Sequence, residues 1–125
     1  MPVQVLSSRV IVRPVELERS RRFYEDVVGL PIYREWGVGV AYFLGGGFLE
    51  LSGVGEGPTG GTTLWLQVPT LEGVEAELRA AGMGVHKPTE VMPWGLVELW
   101  GEDPDGNELR FVEVPPDHPL RRRAR

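Results

Sequence analysis

Apolar residues recur with a helical period in two stretches of this chain. Leu17, Ser20, Tyr24, Val27 and Val28 fall on one helical face, while Glu18, Arg19, Arg22 and Glu25 lie away from it. Leu71, Val74, Leu78 and Ala81 repeat that pattern, with Thr70 placed to cap the second helix. Gly29 and Gly82 follow the two stretches and predict left-handed helix stops. An extended run precedes each helix, residues 9–12 in the first case and 63–68 in the second. Three strand-like pieces follow each: 32–36, 40–44 and 48–51, then 85–91, 96–100 and 108–114. Asp103-Pro104-Asp105-Gly106-Asn107 predicts a tight turn before the last of these.

The two halves are copies of one plan. Val27-Val28-Gly29-Leu30-Pro31-Ile32-Tyr33 matches Ala80-Ala81-Gly82-Met83-Gly84-Val85-His86, each reading small apolar pair, glycine, larger apolar residue, turn former, β-branched residue, ring. The chain therefore reads as a single domain of two modules, about residues 8–52 and 62–114. A glycine-rich hinge spans 53–61 and a basic tail spans 115–125. A unit of this size buries too little apolar surface alone, so the halves are expected to share a core.

Composition narrows the function classes. The chain has 125 residues with no cysteine, which removes disulfides, thiolate nucleophiles and cysteine-held metals. No apolar run approaches the ~20 residues that cross a bilayer, and the first residues lack the features of a secretory signal, so no membrane contact and a cytoplasmic location are expected. The formal charge is −5, and four arginines sit in the last five residues, so the chain before them carries −9. A body that acidic repels phosphate backbones, and no nucleic-acid partner is expected.

Residues 12–30, with Glu16-Leu17-Glu18-Arg19-Ser20, Phe23-Tyr24 and Val28-Gly29-Leu30, resemble the opening motif of the vicinal oxygen chelate superfamily. That superfamily includes glyoxalase I, the extradiol dioxygenases, and the fosfomycin and bleomycin resistance proteins. Asp103-Pro104-Asp105-Gly106-Asn107 resembles its second hallmark, and Pro93-Trp94-Gly95 resembles its bleomycin-resistance-like branch. The resemblance implies an α+β fold of two βαβββ modules forming an open, cavity-enclosing barrel. It also implies a divalent metal held by four side chains from the first and last strand of each module. Those positions fall on Arg9, Glu50, Thr63 and Arg110, and only Glu50 is a metal donor of the expected kind. Arginine has no lone pair to give and stays charged. His86 aligns with Tyr33, away from those positions, and His118 lies in the proline-rich tail. No metal and no cofactor are therefore expected.

Strand alternation places Arg9, Ile11 and Arg13 on one face, with Phe48, Glu50 and Ser52. In the second half it groups Thr63, Trp65 and Gln67 with Glu108, Arg110 and Val112. Trp94, in a Pro-Trp-Gly turn, borders the ligand groove in the resembled branch. The candidate ligand-binding set is thus Arg9, Phe48, Glu50, Thr63, Trp65, Trp94 and Arg110. Three readings follow. Glu50 bridges an arginine as structural cement; an arginine binds an anionic oxygen of a small ligand by a bidentate contact; or Glu50 is the general base of a metal-free reaction. The leading expectation is a small-molecule binding protein for an aromatic or anionic ligand. The alternatives are an enzyme of the same superfamily, of glyoxalase- or dioxygenase-like lyase or oxidoreductase type, and an assembly role without a ligand. A homodimer is expected, and residues 1–8 supply a possible added strand for exchange between chains.

Overall fold

The computed structural model describes residues 3–53 and 61–119. It divides into two compact units, Met1–Thr59 and Gly60–Arg125. Most of the expected hinge and the arginines of the tail lie outside the described residues. Each unit is a βαβββ module, as the repeat implies. In the first, strand β1 (Arg9–Val12) leads into helix α1 (Leu17–Arg22), and strands β2 (Ile32–Trp36), β3 (Gly39–Leu44) and β4 (Gly47–Ser52) follow. In the second, β5 (Thr63–Val68) leads into α2 (Val74–Ala80), then β6 (Gly84–Val91), β7 (Val97–Glu102) and β8 (Glu108–Glu113). The sheets are ordered β1-β4-β3-β2 and β5-β8-β7-β6, each with one parallel pair, β1 with β4 and β5 with β8. Among the described residues no helix is long and apolar enough to cross a membrane.

Period-two alternation sorts each strand onto two faces. In the first module Val12, Val40, Tyr42, Leu49 and Leu51 are buried on the face that receives α1, where Phe23 meets Tyr24 edge-on at 5.0 Å. In the second, Leu64, Leu99, Leu109 and Phe111 share a face parity and are buried, as is Leu78 of α2. The second helix starts later than expected. Its N-cap is Gly73 at φ 75°, and Thr70 instead accepts the Glu72 N–H at 3.1 Å in the turn before it. Residues 3–8 form no strand, and only Ser8 extends the ladder, accepting the Phe48 N–H at 3.1 Å.

The first helix departs from its expected period. After Arg22 the backbone widens into a π-helical segment, Phe23–Val28, closed by Gly29 at φ 84° with its N–H on the Tyr24 carbonyl at 3.1 Å. Within it Phe23 is buried, and Glu25, which a 3.6-residue period places outside, is half-buried. Glu25 Oε2 accepts the Tyr42 hydroxyl and Arg21 Nε, both at 2.7 Å, and Arg21 Nη2 reaches Glu35 at 2.8 Å. Burial alone pushes the Glu25 carboxyl up, but the Arg21 and Tyr42 hydrogen bonds prevail and hold it below the usual carboxylate range. The Tyr42 hydroxyl is pushed up, first by burial and then by its bond to Glu25. This cluster ties the helix to β3 and β2.

In the second module the expected turn forms between β7 and β8. Asp103 Oδ1 accepts the N–H groups of Asp105 and Asn107, both at 2.9 Å, and Asn107 Nδ2 donates to Asp103 Oδ2 at 2.9 Å. Asn107 Oδ1 takes the Thr62 N–H at 3.1 Å, which ties the turn to the start of β5. Helix α2 is tied to β6 through Glu75, which accepts the Thr89 N–H at 2.7 Å and Arg79 Nε at 2.8 Å.

Two outcomes follow from these ties. Tyr42→Phe removes a buried bond to a charged acceptor and should cost about 2 kcal/mol in denaturant unfolding; a loss below about 0.5 kcal/mol would show that the hydroxyl bond contributes little. The Thr89 backbone N–H, with Arg79 adding, holds the Glu75 carboxyl at about 2, below its ordinary 4.5. A carboxyl lowered in the folded state stabilises the fold above pH 4.5, and that contribution disappears as pH falls from 4.5 toward 2. Glu75→Gln should therefore lower Tm at pH 7 and flatten its acid-side decline, the two curves meeting near pH 2. Parallel curves would refute the linkage.

Candidate functional site

One helix covers one face of each sheet, so the candidate residues lie on the other. In the first module, register places Arg9 opposite Phe48 and Phe48 opposite Phe43, with Ile11, Glu50 and Ala41 in the next row. Arg9 Nη1 donates to Glu50 Oε1 at 2.8 Å, and its guanidinium stands 5.5 Å from the Phe48 ring. The Phe48 ring packs on Tyr33 at 4.7 Å and on Phe43 at 5.7 Å, and Tyr33 meets Phe43 at 5.2 Å. The bulge in β2 between Ile32 and Arg34 accompanies the placement of Tyr33 against these rings. Arg9, Phe48 and Glu50 are thus brought together, with the carboxylate of Glu50 engaged by Arg9.

In the second module, register groups Thr63 with Glu108 and Glu102, and Trp65 with Arg110, Trp100 and Lys87. Arg110 Nε donates to Glu108 Oε1 at 2.7 Å, and its guanidinium lies 3.8 Å from the centre of the Trp100 ring. Thr63 Oγ1 donates to Glu108 Oε1 at 3.4 Å. Trp65 stays 47% exposed. Trp94 is 52% exposed in its turn, yet its indole N–H is fixed to Glu98 Oε2 at 2.7 Å. The other Glu98 oxygen accepts the Trp100 indole N–H at 2.7 Å, and Glu98 itself is only 2% exposed.

The residues at the four positions that the resemblance assigns to a metal do not fit a divalent ion. The one carboxylate among them holds Arg9, the threonine donates to Glu108, and the remaining two are guanidinium groups without a lone pair. His86 comes within 4.0 Å of Glu108, but its Nε2 is bound to the Gly101 carbonyl at 3.0 Å. Among the described residues, no group of three or more histidine or carboxylate side chains is arranged to hold a metal.

Sequence reasoning missed Glu98 as an anchor, Trp100 as the stacking partner of Arg110, and the Tyr33–Phe43–Phe48 ring cluster. The β7–β8 turn carries the signal for the second of these. Centred on Asp105, it places residues five before and five after opposite one another, which are Trp100 and Arg110.

Comparison with known proteins agrees with this architecture. A glyoxalase-related enzyme from Fulvimarina pelagi is 23% identical, with 90% of each chain covered and a TM-score of 0.74. A glyoxalase/bleomycin resistance protein/dioxygenase from Nocardioides is 16% identical, covering 94% of this chain and 89% of its own, with a TM-score of 0.76. A lactoylglutathione lyase from Agrobacterium tumefaciens is 18% identical, covering 90% and 96%, with a TM-score of 0.72. At these identities the likeness is one of fold. No curated protein sequence matches significantly. The family model of the Glyoxalase/Bleomycin resistance protein/Dioxygenase superfamily matches residues 7–111, which is most of the chain. The chain belongs to that superfamily.

Proposed function

We propose that this protein is a metal-independent small-molecule binding protein of its superfamily, holding an aromatic or anionic ligand. The observation that carries this reading is the replacement of a metal donor set by the Arg9–Glu50 ion pair at 2.8 Å and the Arg110–Trp100 stack at 3.8 Å. Guanidinium recognises carboxylate and phosphate oxygens through paired N–H donors, and exposed indoles take flat apolar rings. Trp65, Trp94 and Phe48 supply the aromatic part, and Arg9, Thr63 and Arg110 the polar part. The proposal includes a homodimer in the cytoplasm.

A second reading, an enzyme of the same superfamily, is favoured by the fold likeness to the lactoylglutathione lyase. In that reading the enzyme is metal-dependent, or Glu50 is the general base and must first leave the Arg9 guanidinium.

A thermal-shift screen over aromatic and anionic metabolites, run with and without divalent metals, separates the two readings. The binding reading expects at least one ligand to raise Tm in a metal-free buffer. It fails if turnover is found, either metal-dependent with stoichiometric tight metal or metal-free and abolished in Glu50→Gln. The dimer is checked by mass in solution, where a clean monomer near 13.9 kDa at micromolar concentration would refute it.

A further inference from the structure

The face of the second sheet that carries Arg110 is banded. Its middle row, read across the strands, is Trp65, Arg110, Trp100 and Lys87, alternating indole and cation. The rows on either side are acidic, with Glu108 and Glu102 in one and Glu98 and Glu90 in the other. Three of those acids fix a member of the middle row. Glu108 holds Arg110 Nε at 2.7 Å, Glu90 holds Lys87 Nζ at 2.6 Å, and Glu98 holds the Trp100 indole N–H at 2.7 Å. Glu98 also fixes the half-exposed Trp94 from its second oxygen. Glu108 and Glu90 are thereby paired with the two cations of the row, and Glu98 orients its indoles.

Arg110 keeps binding capacity after these contacts. Its guanidinium is pinned flat, 3.8 Å over Trp100, and its hydrogen bond to Glu108 uses Nε alone. Among the described residues no acceptor takes its four Nη hydrogens. The equivalent position in the first module is Glu50, where Arg9 is the neighbour and the two charges cancel. There Ala41 stands in place of Trp100, and the rings of Tyr33, Phe43 and Phe48 pack on one another. In both modules a guanidinium gives one nitrogen to a carboxylate; of the two, that of Arg110 is also stacked at 3.8 Å on an indole, with the exposed indole of Trp65 beside it.

We propose that this row binds one planar aromatic carboxylate per chain, its ring stacked on Trp65 and its carboxylate paired with the Nη hydrogens of Arg110, and that Glu98 is the positioning residue for Trp94 and Trp100. The proposal rests on the binding reading above and names its ligand class. An aryl carboxylate is flat, so a ring lying on one strand's indole carries its oxygens in the same plane toward the next strand, about 4.8 Å away. The stacked guanidinium offers a matching planar pair of donors there. A cationic aromatic would meet Arg110 and Lys87 in the same row.

The test uses the full chain and 2-naphthoate as the probe, with 2-naphthalenemethanol and 2-naphthylmethylammonium as neutral and cationic counterparts, by titration calorimetry. One naphthoate per chain is expected, bound at least tenfold more tightly than either counterpart. Arg110→Gln and Trp65→Leu, both at partly exposed positions, should each weaken it at least fivefold. In 1H–15N spectra Glu98→Gln should move the indole N–H resonances of Trp94 and Trp100 while leaving those of Trp36 and Trp65 in place. Should that variant fail to fold, Trp94→Phe gives the same information by shifting the Trp100 resonance through their shared carboxylate. Naphthoate binding that survives Arg110→Gln or is exceeded by the ammonium probe overturns the assignment. So does an absence of naphthoate binding when the metabolite screen finds another ligand, and in that case the binding reading itself stands. If neither the probes nor the screen give a ligand, both fall.

Discussion

A four-stranded sheet has two faces, and a module of this kind has one helix to cover them. That constraint shapes everything else in each half of the chain. The helix takes the face built from Val12, Val40, Tyr42, Leu49 and Leu51 in the first module, and these residues are almost wholly apolar. The opposite face is released from the demand for an apolar partner, so it carries the arginines, acids and aromatic rings. Alternation along the strands keeps the two sets apart residue by residue, because a neighbour in sequence always belongs to the other face.

Duplication then allowed the two released faces to diverge. The same register positions hold Ile11, Glu50, Ala41 and Arg34 in one module and Trp65, Arg110, Trp100 and Lys87 in the other. In the first, a cation and an anion meet across β1 and β4, and the nearby rings pack against each other. In the second, the cation sits between two indoles; in both, the acid partner lies in the next row. Each guanidinium gives one nitrogen to its acid, and that of Arg110 is in addition held flat on a ring, which orients its remaining donors. Superfamily membership describes the shared frame, within which the two faces of this chain differ.

Glu98 illustrates what it takes to keep charge inside such a face. A carboxylate that is nearly inaccessible to water must have its oxygens satisfied, and here two indole N–H groups satisfy them. The same bonds fix two large rings whose orientation would otherwise be free. Glu25 plays a comparable part in the first module, where a hydroxyl and a guanidinium converge on one carboxylate and lock the helix to the sheet.

Much of the frame was legible in the chain itself. The repeat, the strand and helix order, the glycine stops at Gly29 and Gly82, and the Asp103–Asn107 turn all rest on local chemistry: period, φ preference and side-chain capping within a few residues. Strand parity, also local, sorted Arg9, Glu50, Thr63, Trp65 and Arg110 onto the faces away from the helices. What only the tertiary structure decided are the pairings across long separations. Arg9 and Glu50 are 41 residues apart, and their meeting depends on how β1 is registered against β4. The bond between Glu25, in the π-helical turn, and the Tyr42 hydroxyl on β3 spans 17 residues, a pairing that no helical period contains. Whether Arg110 meets an acid or an indole likewise depends on hydrogen-bond register between strands, which alternation within one strand cannot express.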